Sequence, residues 1–300
     1  MDEASFPPQR ELRAGRDFPL WPHLKFNHAR RHANKLHDDF SLWRSSLGEE
    51  TRTEYSADRR VATFYASIRN APPTDEWSLT FGDAIHNFRS ALDSLAWSLA
   101  HLDGNRPERR DEQRIYFPLC QTLSAFEKEA TTTLRSMPDF ALQRLESVQP
   151  YHGGPPESAI SRILHELDIR DKHRSSIELA SVAADKTTYG IVHRYRDRDY
   201  APDSESEPYE WLGDEGPVRD GQPIARQRFA KPVEMAEILS LPLVLLISHN
   251  GTKYDAFHLL TLIERQLSAT FHRIELGFLP DDAELLNPGG TDADEFPPVG

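Results

Sequence analysis

Six polar side chains fall on one side of a single predicted helix. At 100° per residue, Asp83, His86, Ser90, Ser94, Trp97 and His101 lie within an arc of about 80°. Arg89 sits on the flank between this side and the core, and Asp93 follows at i+4. These groups have defined chemistry. A guanidinium grips a phosphate through two parallel N–H donors. An imidazole titrating near neutrality moves a proton, and Asp83 with His86 would make an acid–base pair for a small-molecule substrate. The competing reading is a solvated face, on which Arg89 and Asp93 form an ordinary i,i+4 pair contributing a few tenths of a kcal/mol.

A second polar group is His165, Asp168, Asp171, Lys172, His173 and Arg174. His165, Asp168 and Lys172 share a helix face. Lys172, His173 and Arg174 close a last turn, where cations meet the negative end of the helix dipole, and that alone accounts for them structurally. The functional reading sets this helix end opposite His86 and Arg89 across a shared groove. His28 and His32 have the i,i+4 spacing of two metal ligands, with His37 beyond. No carboxylate stands between them as in a zinc-protease helix, Arg30 and Arg31 adjoin, and no third ligand is specified. A solvated basic face is the better reading, and no metal or other cofactor is expected.

The elements that must position these groups follow from periodicity. Residues 1–20 read as an irregular arm with Pro7, Pro8 and Pro19. A helix is predicted over His23–Ser46 and a hairpin over 52–69, turning at Asp58–Arg60. Phe81, Ile85, Phe88, Leu92, Leu95, Leu99 and Leu102 then recur at steps of four and three, giving a helix of about six turns that ends at Gly104. After a charged loop comes a short extended piece, Ile115–Leu119. Two short helices over 123–148 part near Pro138, and a further helix covers 157–172. Strands are expected at Ile177–Val182, Thr187–Arg194, Gln227–Val233 and Leu241–Ser248. Asn250–Gly251 is read as turning the chain into a last helix, Lys253–Leu276, with Thr252 as N-cap. The fold class is α+β: mainly a helical bundle with a small antiparallel sheet, forming one globular domain over 21–278.

Composition narrows the function. The 300-residue chain carries a formal net charge of −13. Residues 197–220 hold nine acidic and two basic side chains, and residues 279–300 hold six acidic and none basic, so an acidic loop and an acidic, disordered tail account for all of it. Residues 10–37 instead carry seven Lys/Arg against two acids, so overall acidity does not exclude a nucleic-acid partner. Arginine outnumbers lysine 28 to 7, a bias better explained by a GC-rich genome than by phosphate binding. One cysteine excludes a disulfide framework and a cysteine-rich zinc site, and fits a reducing cytosol. The longest apolar run, Leu241–Ile247, is interrupted by Pro242 and is too short for a membrane span. The N-terminus lacks the basic-then-apolar order of a secretory signal. A Gly-rich phosphate loop, a G-x-S-x-G elbow and a dinucleotide fingerprint are all absent from the sequence.

The stretch Gly82-Asp83-Ala84-Ile85-His86-Asn87-Phe88-Arg89-Ser90-Ala91-Leu92-Asp93 resembles the GDxxHNLRSALDHL motif of a family of uncharacterised bacterial proteins, many of them actinobacterial. Phe117-Pro118, Gln149-Pro150-Tyr151 and the helix end Asp171-Lys172-His173-Arg174 are further landmarks of that family, so the resemblance spans about residues 25–180. It implies no activity. In the usual family motif the Arg is followed five positions on by His, which is similar to the Arg-x4-6-His signature of HEPN domains. Those are helical bundles, many of them metal-independent ribonucleases or toxins. This weaker resemblance implies a HEPN-like helical core in which Arg89 binds phosphate and an imidazole moves the 2′-hydroxyl proton. The present chain departs at the critical place, because the His position is Ser94, whose hydroxyl accepts no proton near pH 7. His86, one turn before Arg89, substitutes by position, whereas His101 lies about 18 Å along the axis.

The expectation is therefore a cytoplasmic protein that binds RNA or another phosphate-bearing ligand, with ribonuclease activity weak or absent. His86 and Arg89 are the catalytic candidates. Asp83, Ser90, Ser94, Asp171, Lys172, His173 and Arg174 are the ligand-binding ones. The alternative is a non-catalytic interaction protein whose acidic segments engage a basic protein partner.

Overall fold

A computed structural model describes residues 11–152, 155–171, 177–181, 190–200, 209–213, 217–238, 241 and 243–277. The fold is α+β, with seven helices and nine strands among the described residues. It divides into a helical unit (Met1–Lys35, Leu79–Ser175, Phe257–Pro297) and a sheet unit (Leu36–Ser78, Ser176–Ala256, Pro298–Gly300). The tail 279–300, residues 201–208 of the acidic loop and the expected strand residues 187–189 lie outside the described residues.

The helical unit takes in α1 (Trp21–Ser46) as far as Lys35, α2 (Thr74–Ala100) from Leu79, α3 (Arg109–Glu112), α4 (Leu123–Thr131), α5 (Asp139–Ser147), α6 (Pro155–Asp171) and α7 (Ala256–Leu276) from Phe257. The four-and-three stripe of α2 is its core: Phe81, Ile85, Phe88, Leu92, Leu95 and Leu99 are each at most 2% exposed. Each such side chain contributes about 1.5–3 kcal/mol on burial. Four helices touch in a cycle. Phe26 of α1 packs on Phe88 of α2 and Phe271 of α7, at ring separations of 5.7 and 5.5 Å. His86 of α2 bonds Asp168 of α6, and Gln266 of α7 donates to Ser161 of α6. The end of α7 is capped from outside: buried Arg144 of α5 donates to the Ile274 and Glu275 carbonyls, and the Leu12 N–H donates to Glu275 O at 2.7 Å. The second half of the expected N-terminal arm is thus fastened down, with Leu12 and Phe18 buried.

In the sheet unit, β1 (Thr51–Tyr55), β2 (Val61–Ala66), β5 (Glu210–Trp211) and β6 (Pro223–Arg228) form an antiparallel sheet in the order β1-β2-β6-β5. β4 (Ile191–Tyr195) pairs with β7 (Val233–Ile238), and β3 (Ile177–Ser181), β8 (Leu243–His249) and β9 (Thr252–Asp255) form a third sheet in the order β3-β8-β9. Phe64, Ala225, Phe229, Val233 and Ala236 make its core. The turn after β1 is tied to β7: Arg59, with φ +56°, donates from Nε to Val233 O and lies over the Tyr55 ring.

Three boundaries differ from expectation. Gln227–Val233 is not one strand: Gln227 and Arg228 end β6, Val233 begins β7, and the residues between connect them, because Pro232 cannot donate to a ladder; Phe229 is buried in the sheet core. Asn250–Gly251, with φ of +51° and +81°, is a two-residue hairpin turn between β8 and β9. Thr252 is therefore a strand residue rather than an N-cap, and the last helix begins at Ala256. Ile115–Leu119 joins no ladder; its role lies in the seam below.

Candidate functional site: the seam of helices α1, α2 and α6

The apolar stripe of α2 turns its opposite side outward, and two other helices reach its middle. Asp83, His86 and Trp97 are exposed, whereas Ser90, Asp93 and Ser94 are half-buried. From α1, Lys25 Nζ donates to Ser90 Oγ at 2.7 Å. From α6, Asp168 accepts from His86 Nδ1 at 3.1 Å. A carboxylate can only accept, so Nδ1 carries the proton and Nε2 is the outward nitrogen of a side chain that is 58% exposed.

Arg89 is engaged by protein partners. It is 6% exposed, and its Nη2 donates to Asp93 Oδ1 at 2.8 Å and to the Phe117 carbonyl at 2.7 Å. Asp93 Oδ1 also accepts the Phe117 N–H at 3.0 Å. Arg and Asp, one turn apart on a helix, together grip both backbone groups of one loop residue. The expected ordinary surface pair is a buried knot that anchors the Phe117-Pro118 segment on α2. Among the described residues, Arg89 Nη1 is buried without a hydrogen-bond partner, as is His165 Nδ1 on α6.

The electrostatics bind these groups into one network. Burial pushes the Asp93 carboxyl above the ordinary carboxylate range, against the pull of Arg89 and the Phe117 N–H; Asp168 adds to the rise and Lys25 opposes it. Burial holds His165 below the ordinary imidazole value, and the neighbouring Arg89 charge lowers it further, while Asp168 and Asp93 pull the other way. Burial also lowers His32, with His28 adding to the fall and Asp83 opposing it.

Of the residues expected at the site, His86, Arg89 and Ser90 enter this network. Asp83 stands one turn before it and reaches His32 through its field. The Ser94 carbonyl accepts from Ser98 Oγ. Asp171 ends α6, with its side chain outside the described residues, as are Lys172, His173 and Arg174. Trp97 and His101 stack at 3.9 Å, away from the His86 end. His28 accepts from Arg31 Nη2 at Nδ1 and lies 3.1 Å from His32 Nε2, so its ring is occupied on both sides. Among the described residues, no group of three His, Cys, Asp or Glu side chains is placed to hold a metal ion.

Sequence reasoning missed Lys25 and the Phe117 backbone. Lys25 had no local pattern to mark it, since its partner lies 65 residues away. Phe117-Pro118 was visible as a landmark, but its carbonyl and N–H carry no signal in the sequence. Chemically the seam offers a fixed ammonium donor, Lys25, and the imidazole of His86, beside a buried guanidinium. Among the described residues, no helix is long and apolar enough to cross a membrane. No protein-family model, curated protein or solved structure matches the chain.

Proposed function

We propose that the helical unit binds RNA or another phosphate-bearing ligand along the α1–α2–α6 seam without turning it over. The observation that carries this reading is a pair of pre-fixed polar side chains, the Lys25 ammonium held on Ser90 and the His86 imidazole held on Asp168. Donors already immobilised by partners lose less freedom when they meet a ligand. The exposed Arg31 adds positive charge along α1, whereas Arg30 is paired with Glu264 at 2.7 Å. A cycle of four packed helices is in keeping with a HEPN-like bundle. The burial of Arg89 and the presence of Ser94 weigh against ribonuclease chemistry: the guanidinium is committed to Asp93 and Phe117, and no base stands at the signature's second position. Arg89 is then a positioning residue, and the ligand meets Lys25 and His86.

Fluorescence anisotropy with a labelled single-stranded RNA tests this. Lys25→Ala and His86→Ala should each weaken binding about five- to tenfold and reduce the log–log salt slope, by about one for the lysine. The RNA should remain intact after prolonged incubation. No affinity at low salt would overturn the binding reading and favour a non-catalytic partner-binding role for the acidic segments. RNA shortening abolished by His86→Ala would overturn the absence of turnover.

A further inference from the structure

A cavity lies in the sheet unit, where β7 comes against β1 without forming a ladder with it. β1 is the outer strand of its sheet, and β7 is paired on one side only, to β4. Side chains bridge the gap at a single point. Thr53 Oγ1 donates to Ala236 O at 3.0 Å, and the Tyr55 hydroxyl accepts the Ala236 N–H at 2.8 Å and donates to its carbonyl at 3.3 Å. Around this bridge lies a cavity of about 870 Å³, lined by both strands and by the chain leaving β2. That is within the range of about 300–1,000 Å³ typical of small-ligand sites.

The charges lining it divide into two groups. Arg44 and Glu50 neutralise each other at 2.5 and 2.9 Å, and together they hold both backbone groups of Leu241. Arg52 is paired with Glu54 and lies over Tyr65. Arg69, Glu49 and Glu237 are exposed and, among the described residues, have no hydrogen-bond or ion-pair partner. Thr51 and the buried Ser67 add hydroxyls to the wall. A simple anion would meet Arg69 but also two unpaired carboxylates. A simple cation would meet those carboxylates but also Arg69. A ligand carrying both charges suits all three, and one with its own N–H and C=O groups also suits the unpaired edge of β1, since β7 is already engaged by Arg59, Thr53 and Tyr55 from Val233 to Ala236.

We propose that this cavity binds a short peptide zwitterion in extended form along the free edge of β1, its carboxylate on Arg69 and its ammonium toward Glu49 and Glu237. The proposal is independent of the RNA reading, which concerns the helical unit. At about 3.3 Å per residue, three or four residues span about 10–14 Å.

Calorimetric titration of the full-length chain with trialanine, tetraalanine, their N-acetylated and C-amidated forms, and free alanine tests it. The unmodified peptides should bind with a Kd at or below about 1 mM. Amidation or Arg69→Gln should weaken binding about tenfold, and so should acetylation or the double variant Glu49→Gln/Glu237→Gln. All three side chains are exposed, so an unchanged melting temperature will verify that the variants fold. Alanine binding as tightly as tetraalanine would overturn the extended seat. Binding indifferent to Arg69→Gln and to amidation would overturn the charge assignment, and no binding of any peptide at about 10 times that concentration would overturn the site.

Discussion

Arg89→Met removes a guanidinium and keeps most of its aliphatic stem, so it isolates the knot on Phe117 from packing. The Phe117 carbonyl, on a residue 1% exposed, loses its donor. An unpaired buried acceptor costs about 1–3 kcal/mol. Asp93 loses its counter-charge, for which a fully buried pair would forfeit about 3–5 kcal/mol. The Asp93 side chain is 38% exposed, however, and keeps the Phe117 N–H, so water recovers most of this and about 1 kcal/mol remains. Deleting Nη1 removes a buried donor that has no acceptor, which returns about 1 kcal/mol. The net expectation is a loss of about 2 kcal/mol. Urea unfolding followed by helical circular dichroism reads it directly, and the loss should be smaller when measured in an Asp93→Asn background, because the two residues are coupled. Stability equal to the parent would refute a structural role for the buried guanidinium. Unchanged stability with a tenfold loss of RNA affinity would make Arg89 a ligand contact instead.

The half-buried His165 sets a pH dependence. Its folded value lies below the ordinary imidazole value, so the unfolded chain takes up the proton first as pH falls, and stability present above about pH 6.5 is lost below it. His165→Leu should therefore narrow the difference in melting temperature between about pH 7.5 and pH 5.5. Asp93 acts in the opposite sense at lower pH. Its folded value is raised, so protonation on the way down to the ordinary carboxylate value relieves a burial cost, and Asp93→Asn should abolish that relief. Arg144→Met should cost about 2–3 kcal/mol by uncovering the final carbonyls of α7, with faster hydrogen exchange in that last turn as the local readout. Gly251→Ala should cost about 1–2 kcal/mol in thermal unfolding, because φ is +81° in the β8–β9 turn.

What the sequence disclosed, and what it withheld, follows from the range of the interactions involved. The α2 stripe was legible because burial of one helix face leaves its period in the residue types, from Phe81 to Leu99. The pairing of β1 with β2 was legible for the same local reason. The β6–β7 junction was not: Phe229 is apolar because it packs into the sheet core from the connection between the strands, and an apolar residue there imitates a strand. Asn250–Gly251 is a strong hairpin signal, but the helical periodicity that follows it concealed the four residues of β9. At the seam, the type and helix face of His86 were readable, and its partner Asp168, 82 residues away, was not. The burial of Arg89 depends on where the Phe117 loop crosses α2, a tertiary fact with no counterpart in the i,i+4 spacing.

The Tyr55 hydroxyl occupies both hydrogen-bonding groups of Ala236, and this bears on how the chain behaves in company. A strand edge ordinarily invites a further strand at every second residue. Here one phenol acts as a stop, so a chain added along β7 has to end before Ala236 or displace a side chain anchored beneath Arg59. Sheets that extend by stacking copy upon copy need an uninterrupted edge. With the stop in place, growth of that kind along β7 is interrupted at Ala236.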